Sequence, residues 1–269
     1  MKKLSALLVV LALIIGIGSS YAQPKFTLQL HGGYSMPMAQ LKGDLPTDSA
    51  GFMNLVNTRT DDNTYYMKTG FNFGLTGKYA FGKKGNVRLT FGGDYKMFNN
   101  STDVTLNLFG TGSGVITVEP KMNIIALNIG GEYAVTGKSK FTPYFGLDLT
   151  ANIIGGETKY SWVPTSGTGF DSTFKYASAT RFGIGVGAGF EYAFSKQVGL
   201  NFGIKYNMMN LIGKDADTTI DFNTTVEQPL NDKEFTDNNI SFAARNIADL
   251  QIYLGASFYF GQPKATVKK

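Results

Sequence analysis

Residues 182–194 read Phe-Gly-Ile-Gly-Val-Gly-Ala-Gly-Phe-Glu-Tyr-Ala-Phe. Every second residue is apolar: Phe182, Ile184, Val186, Ala188, Phe190, Tyr192 and Phe194. Glycine fills the alternate positions until Glu191 and Ala193. A period of two marks an extended strand with two unlike faces. The glycines do not form a phosphate-binding loop, because they lie inside a strand with no helix after it. A glycine row of this kind suits the crowded inner wall of a narrow barrel.

The same alternation recurs on both sides of this stretch. It predicts strands at 26–36, 70–81, 86–98, 122–135, 141–154, 180–194, 198–208 and 246–260. The apolar faces, for example Phe71, Phe73, Leu75, Tyr79 and Phe81, carry no charged residue and no Ser, Thr, Asn or Gln. A charge on a lipid-facing wall costs roughly 2–4 kcal/mol at the bilayer midplane. A soluble sandwich gives the same alternation, so the connections have to separate the two. Links 82–85, 136–140 and 195–197 are short, and links 37–69, 99–121, 155–179 and 209–245 are long. Short turns at one end and long loops at the other describe an outer-membrane barrel. The expected fold is all-β, an eight-stranded antiparallel up-and-down transmembrane β-barrel with short periplasmic turns and long extracellular loops. Tyr79, Phe81, Tyr133, Tyr192 and Phe260 near the turns, and Tyr34, Phe71, Tyr95 and Tyr206 near the loops, read as interface girdles. A soluble exported barrel is the alternative fold.

Lys2 and Lys3, an apolar run, and Ser20-Tyr21-Ala22 form the pattern of a cleaved secretory signal ending before Gln23. The expected division is signal peptide 1–22, barrel 23–260 and basic periplasmic tail 261–269. The chain has no cysteine and one histidine. That excludes a disulfide framework, a thiol nucleophile and a His-rich metal site. The net charge of +5 is not a nucleic-acid signature, because it collects in the signal, the turns and the tail, while the long loops are acidic.

The inward faces carry Lys78, Arg88, Glu132 and Glu191 near the turns. Nearer the loops they carry Asp94, Lys96, Asp148, Arg181, Lys205 and Asp249. Each layer is neutral. Buried charges need partners, and an eight-stranded barrel is just wide enough for side chains to fill. The expectation is a salt-bridge network that plugs the lumen. Loop 209–245 reads as a solvated acidic loop. The functional alternative is a divalent-cation or basic-partner patch at Asp215, Asp217 and Asp221, although the spacing lacks the glycine of a calcium loop. Loops 99–121 and 155–179 read as hairpins extending the barrel, with Trp162 either anchoring a surface contact or resting at the lipid interface. An exposed edge there offers itself to a partner strand. His31 reads as a structural lumen residue, the alternative being a catalytic base.

Two motifs carry a resemblance. Gly33-Tyr34-Ser35-Met36-Pro37 with Gly43-Asp44-Leu45 is similar to the first strand and loop of many Bacteroidetes-type barrels. The last strand, residues 254–260, is similar to the aromatic-ended strand that the barrel assembly machinery recognises. The chain resembles the OmpA-like and OmpX-like eight-stranded outer membrane protein beta-barrel family from Gln23 to Phe260. It departs from that pattern in its tail after the last strand, and no peptidoglycan-binding domain is expected behind the barrel. The resemblance implies a Gram-negative outer-membrane location, with outer-membrane lipid, lipopolysaccharide and the assembly machinery as partners. It implies no single activity. The expected function is a monomeric, non-enzymatic barrel without cofactor or metal, structural or surface-binding through its loops. The alternative is a narrow pore or small hydrophobic-molecule transporter of OmpW type.

Overall fold

A computed structural model describes residues 24–47, 64–82, 84–108, 112–137, 139–216, 227, 229–237 and 240–261. The expected signal segment, nearly all of the tail, Asp217 and Asp221 lie outside the described residues.

The strands in chain order are β1 Phe26–Ala39, β2 Thr69–Phe81, β3 Val87–Asn99, β4 Thr102–Leu108, β5 Gly112–Ala134, β6 Phe141–Pro164, β7 Phe170–Ala193, β8 Val198–Ile212, β9 Phe235–Asp237, β10 Ile240–Phe242 and β11 Ile247–Phe260. Antiparallel pairing joins β1, β2, β3, β5, β6, β7, β8 and β11 in turn, and β11 pairs back onto β1. Eight strands thus close a ring, which leaves no wall edge unpaired. Closure is in register over the whole of β1, from Phe26↔Phe260 to Ala39↔Ile247.

The alternation sorts the two faces. Leu149 is 63% exposed and Leu127 55% on the outside, while Lys78, Arg88, Glu132, Glu191 and Asp249 are buried inside. A polar core beneath an apolar skin is inverted for a protein in water and correct for one in lipid.

The wall is unequal in height. The long β5, β6 and β7 rise well past the expected strand limits at 122, 154 and 180, and β4 joins the upper part of β5 through pairs such as Thr102↔Val118. The four strands β4, β5, β6 and β7 form a sheet standing above the loop end of the barrel. A bulge in β7, where Ala177 and Ser178 stand against the single residue Gly155 of β6, marks where sheet and barrel meet. Bulges bend and twist a strand locally.

Glycine sets how closely the lumen groups approach the wall. A Cβ at Gly203 would collide with the Tyr253 ring, and one at Gly185 would lie 2.5 Å from Lys205 Cε. Gly203→Ala is therefore expected to cost about 1–3 kcal/mol of barrel stability through overpacking. The check is the unfolding midpoint of the folded band in a heat-dependent gel shift. The loss should shrink when Tyr253 is also truncated to alanine; an unchanged loss would mean that the ring is not the obstacle.

Candidate functional site: a charged lumen and a sheet above the loop end

The layer nearest the turns is a ring of four charges. Lys78 Nζ donates to Glu132 Oε2 at 2.6 Å and to Glu191 Oε1 at 2.9 Å. Arg88 Nη1 donates to Glu132 Oε1 at 3.1 Å and to Glu191 Oε1 at 2.9 Å. Each cation bridges both carboxylates. Gln29 of β1 also donates to Glu191, at 2.8 Å, and reaches Ser257 of β11. Asn201 of β8 donates to Gln29 at 3.0 Å. The Lys78 ammonium sits 4.0 Å from the centre of the Tyr144 ring of β6. Every strand of the ring thus contributes a side chain to this one layer. Such fully partnered ions survive in a low dielectric where lone ones do not.

The next layer divides into separate units. Lys96 of β3 reaches across the lumen to Asp249 of β11, with distances of 2.9 and 3.1 Å to its two oxygens. Asn207 donates to the same carboxylate at 2.8 Å. Lys205 of β8 pairs with Asp148 of β6 at 2.6 Å. Asp94 meets the lone histidine, His31, at 2.7 Å and accepts from Asn128 at 2.9 Å. Between the layers lies a polar cavity of about 50 Å³, lined in part by His31, Thr76, Glu132, Tyr144 and Lys205. That is room for a few water molecules.

Arg181 departs from the expected layer. Its Nε and Nη2 donate to Asp232 at 3.0 and 2.9 Å, and Nη2 also donates to Asp215. Both acids belong to loop 209–245. The reading of that loop as solvated fails at Asp232, which is 0% exposed, whereas the Asp215 side chain that also meets Arg181 stays 63% exposed. The loop thus reaches inward to Arg181, while the strand carboxylates Asp148 and Asp249 pair with Lys205 and Lys96. Among the described residues no group of His, Asp or Glu is placed to hold a metal ion.

Over the charged layers lies an apolar cap that sequence reasoning missed. Phe98, Met122, Ile124, Ile154, Met209 and Ile247 point into the loop end of the lumen, and Leu41, Tyr65, Met67 and Leu230 from two loops close over them. Tyr65 donates its hydroxyl to the Leu230 carbonyl at 3.0 Å. Arg245 lies 4.1 Å from the centre of the Tyr65 ring and donates to the Leu230 carbonyl at 2.6 Å. Burial raises the Tyr65 phenol above its ordinary range, with Arg245 opposing. The signal was present in the sequence as Met97-Phe98, Ile124-Ile125, Ile153-Ile154 and Met208-Met209. Where strict alternation would put a polar residue inward, the chain has apolar residues on both faces.

A second apolar cluster, Leu45, Val104, Leu106, Ile116 and Val118, fills one face of the sheet above the barrel. Trp162 packs against it with Tyr66 and Tyr160. The tryptophan is half-buried, with one side against the sheet's own apolar cluster.

Comparison with the curated proteins found no match. Among solved structures the chain is similar to Neisserial surface protein A, with 15% identity, 88% of this chain and 97% of that chain covered, and a TM-score of 0.46. It is similar to OprG of Pseudomonas aeruginosa, with 12% identity, 90% and 98% covered, and a TM-score of 0.37. It is also similar to Ail of Yersinia pestis, solved in complex with the heparin analogue sucrose octasulfate, with 8% identity, 88% and 98% covered, and a TM-score of 0.35. Eight strands closed with an apolar outer face and a charged interior agree with the family match that spans residues 8–260, and the chain belongs to the outer membrane protein beta-barrel domain family.

Proposed function

We infer that this outer-membrane barrel is a non-enzymatic surface-binding protein whose lumen is shut and whose contacts are made by the extracellular sheet and loops. One observation carries the reading: three successive layers fill the lumen while a four-stranded sheet stands free above it. The inferred route is export with a signal cleaved before Gln23, then insertion by the barrel assembly machinery, with lipopolysaccharide and lipid around the wall. His31 serves as a partner for Asp94. The short turns face the periplasm and the long loops face outward.

The test is reconstitution of the full chain in planar bilayers, with insertion verified by a heat-dependent gel shift. The expected result is a folded, heat-modifiable band and no steady conductance. A large single-channel current would overturn the sealed-lumen reading, and extraction by high salt alone would overturn integral insertion.

The OmpW-type alternative has one observation in its favour. An apolar groove of about 540 Å³ runs along the outer wall, lined by Leu127, Ile129, Leu149, Ala151, Phe182 and Ile212 among others. It lies where the β7–β8 register slips between Phe182 and Ile184. Passage of a small hydrophobic dye through otherwise silent bilayers would favour that alternative.

A further inference from the structure

Above the barrel wall, β7 is paired on one side only. β6 accompanies it from Trp162↔Phe170 down to Phe141↔Tyr192, but β8 joins it only from Phe182↔Ile212 downward. Among the described residues no strand pairs with the other side of residues 170–179. The edge is open to solvent: Phe170 is 59% exposed, Phe174 40% and the Asp171 side chain 67%. A row of unpaired backbone donors and acceptors is a template for one more strand.

The side chains on that edge state which strand fits. The register Trp162↔Phe170, Tyr160↔Ser172, Thr158↔Phe174 and Gly156↔Tyr176 puts these β7 residues on the face of the inner cluster, and puts Asp171, Thr173 and Lys175 on the other face. Lay a second copy of β7 antiparallel along the edge, about a two-fold axis through Thr173. Asp171 then faces the second copy's Lys175, and Lys175 faces the second copy's Asp171. On the opposite face Phe170 meets Tyr176, and Ser172 meets Phe174. Sliding the register to the next position that keeps like faces together sets Asp171 against Thr173 or Ala177 and loses both charge pairs. Parallel pairing in register sets like charges side by side, which is destabilising. Within one copy Glu157 already lies opposite Lys175, and Lys159 lies 3.7 Å from Asp171. Self-pairing therefore continues rows of alternating sign across four strands.

Geometry then fixes the arrangement of the two membranes. β7 descends from the tip of the sheet into the wall. A two-fold axis normal to the sheet makes the second β7 ascend, so its barrel points the opposite way. Two barrels inserted in one membrane share an orientation, so this pair belongs to two membranes that face each other. We propose that residues 170–176 of β7 are a homotypic docking strand, joining copies of this protein in apposed outer membranes. The proposal rests on the surface-binding reading above and names its partner as a second copy. One seven-residue strand pairing is weak by itself, since isolated two-stranded contacts are marginal in water, but many copies arrayed on two surfaces add by avidity. From Thr173 to the wall residue Phe182 and back through the second copy is roughly 60 Å along the strands at about 3.3 Å per residue. That distance is an upper bound on the gap between bilayers.

The experiment uses the full chain in phosphatidylcholine vesicles, with equal folded loading checked by gel shift, and reads clustering by turbidity and bilayer spacing by electron cryomicroscopy. The native protein is expected to cluster vesicles at a gap within that bound. Asp171→Lys alone and Lys175→Asp alone are each expected to abolish clustering. Mixing vesicles of the first variant with vesicles of the second is expected to restore it, because lysines on one set then meet aspartates on the other. Clustering by either variant alone at the native level, or a mixture that stays dispersed, would overturn the proposal. Native vesicles that are loaded, electrically silent and dispersed would also overturn it, while leaving the sealed-lumen reading intact.

Discussion

Glu191→Ala is expected to remove about 3–5 kcal/mol from the stability of the barrel, the range for breaking a buried ion pair by deleting one partner. Glu191 Oε1 accepts from Gln29, Lys78 and Arg88. Its loss leaves two buried cations, Lys78 and Arg88, sharing the single carboxylate of Glu132. Chemical unfolding in detergent micelles, followed by the gel shift, measures the loss. The sharper reading comes from Arg88→Met in the same background. Removing the second cation returns the layer to Lys78 with Glu132, 2.6 Å apart, so the double variant should be more stable than Glu191→Ala alone. Residues of one network are non-additive in this way. If the two losses simply summed, the four groups would not be acting as a ring.

Asp232→Ala should free the cap without opening the barrel. Asp232 accepts from Arg181 at 2.9 and 3.0 Å, from Asn210 at 2.8 Å and from the Asp215 amide at 3.1 Å. Without it the only carboxylate left to Arg181 is Asp215, whose side chain is 63% exposed. A local loss of about 3 kcal/mol raises the opened population roughly a hundredfold, at tenfold per 1.4 kcal/mol. Trypsin cleavage at Lys214, Lys233 and Arg245 should accelerate by about that factor where opening is fast relative to cleavage. Conductance should stay absent, because the Lys96–Asp249 pair and the four-charge ring lie in series beneath the cap. A steady current from Asp232→Ala alone would show that the cap is the only seal.

Much of this was legible in the chain because alternation is a local property. Phe182, Ile184 and Val186 against Gly183, Gly185 and Gly187 already sort lipid from lumen, since successive side chains of any strand point to opposite faces. The same reading placed His31, Lys78, Arg88 and Glu132 on the inner face, from strand direction and loop length alone. It missed the cap because Met97-Phe98 and Ile124-Ile125 look like ordinary apolar runs when only the outer face is being followed. It ended β7 too early because the extra β7 residue opposite Gly155 reverses the alternation, so that residues 170–176 fall out of phase with residues 182–194.

Sequence alone settled which residues face lipid and which face the lumen, how many strands close the ring, and that the buried charges can balance. Pairing was decided by the tertiary structure. Whether Lys96 meets Asp249 or Asp94, and whether Arg181 looks down the lumen or up to Asp232, depends on the stagger of strands distant in sequence and on where loops fold back. Stagger is a property of barrel closure, and a period-two pattern contains no record of it. The free edge of β7 belongs to the same class: its charges can be read in the chain, but only the unequal heights of β7 and β8 leave it exposed.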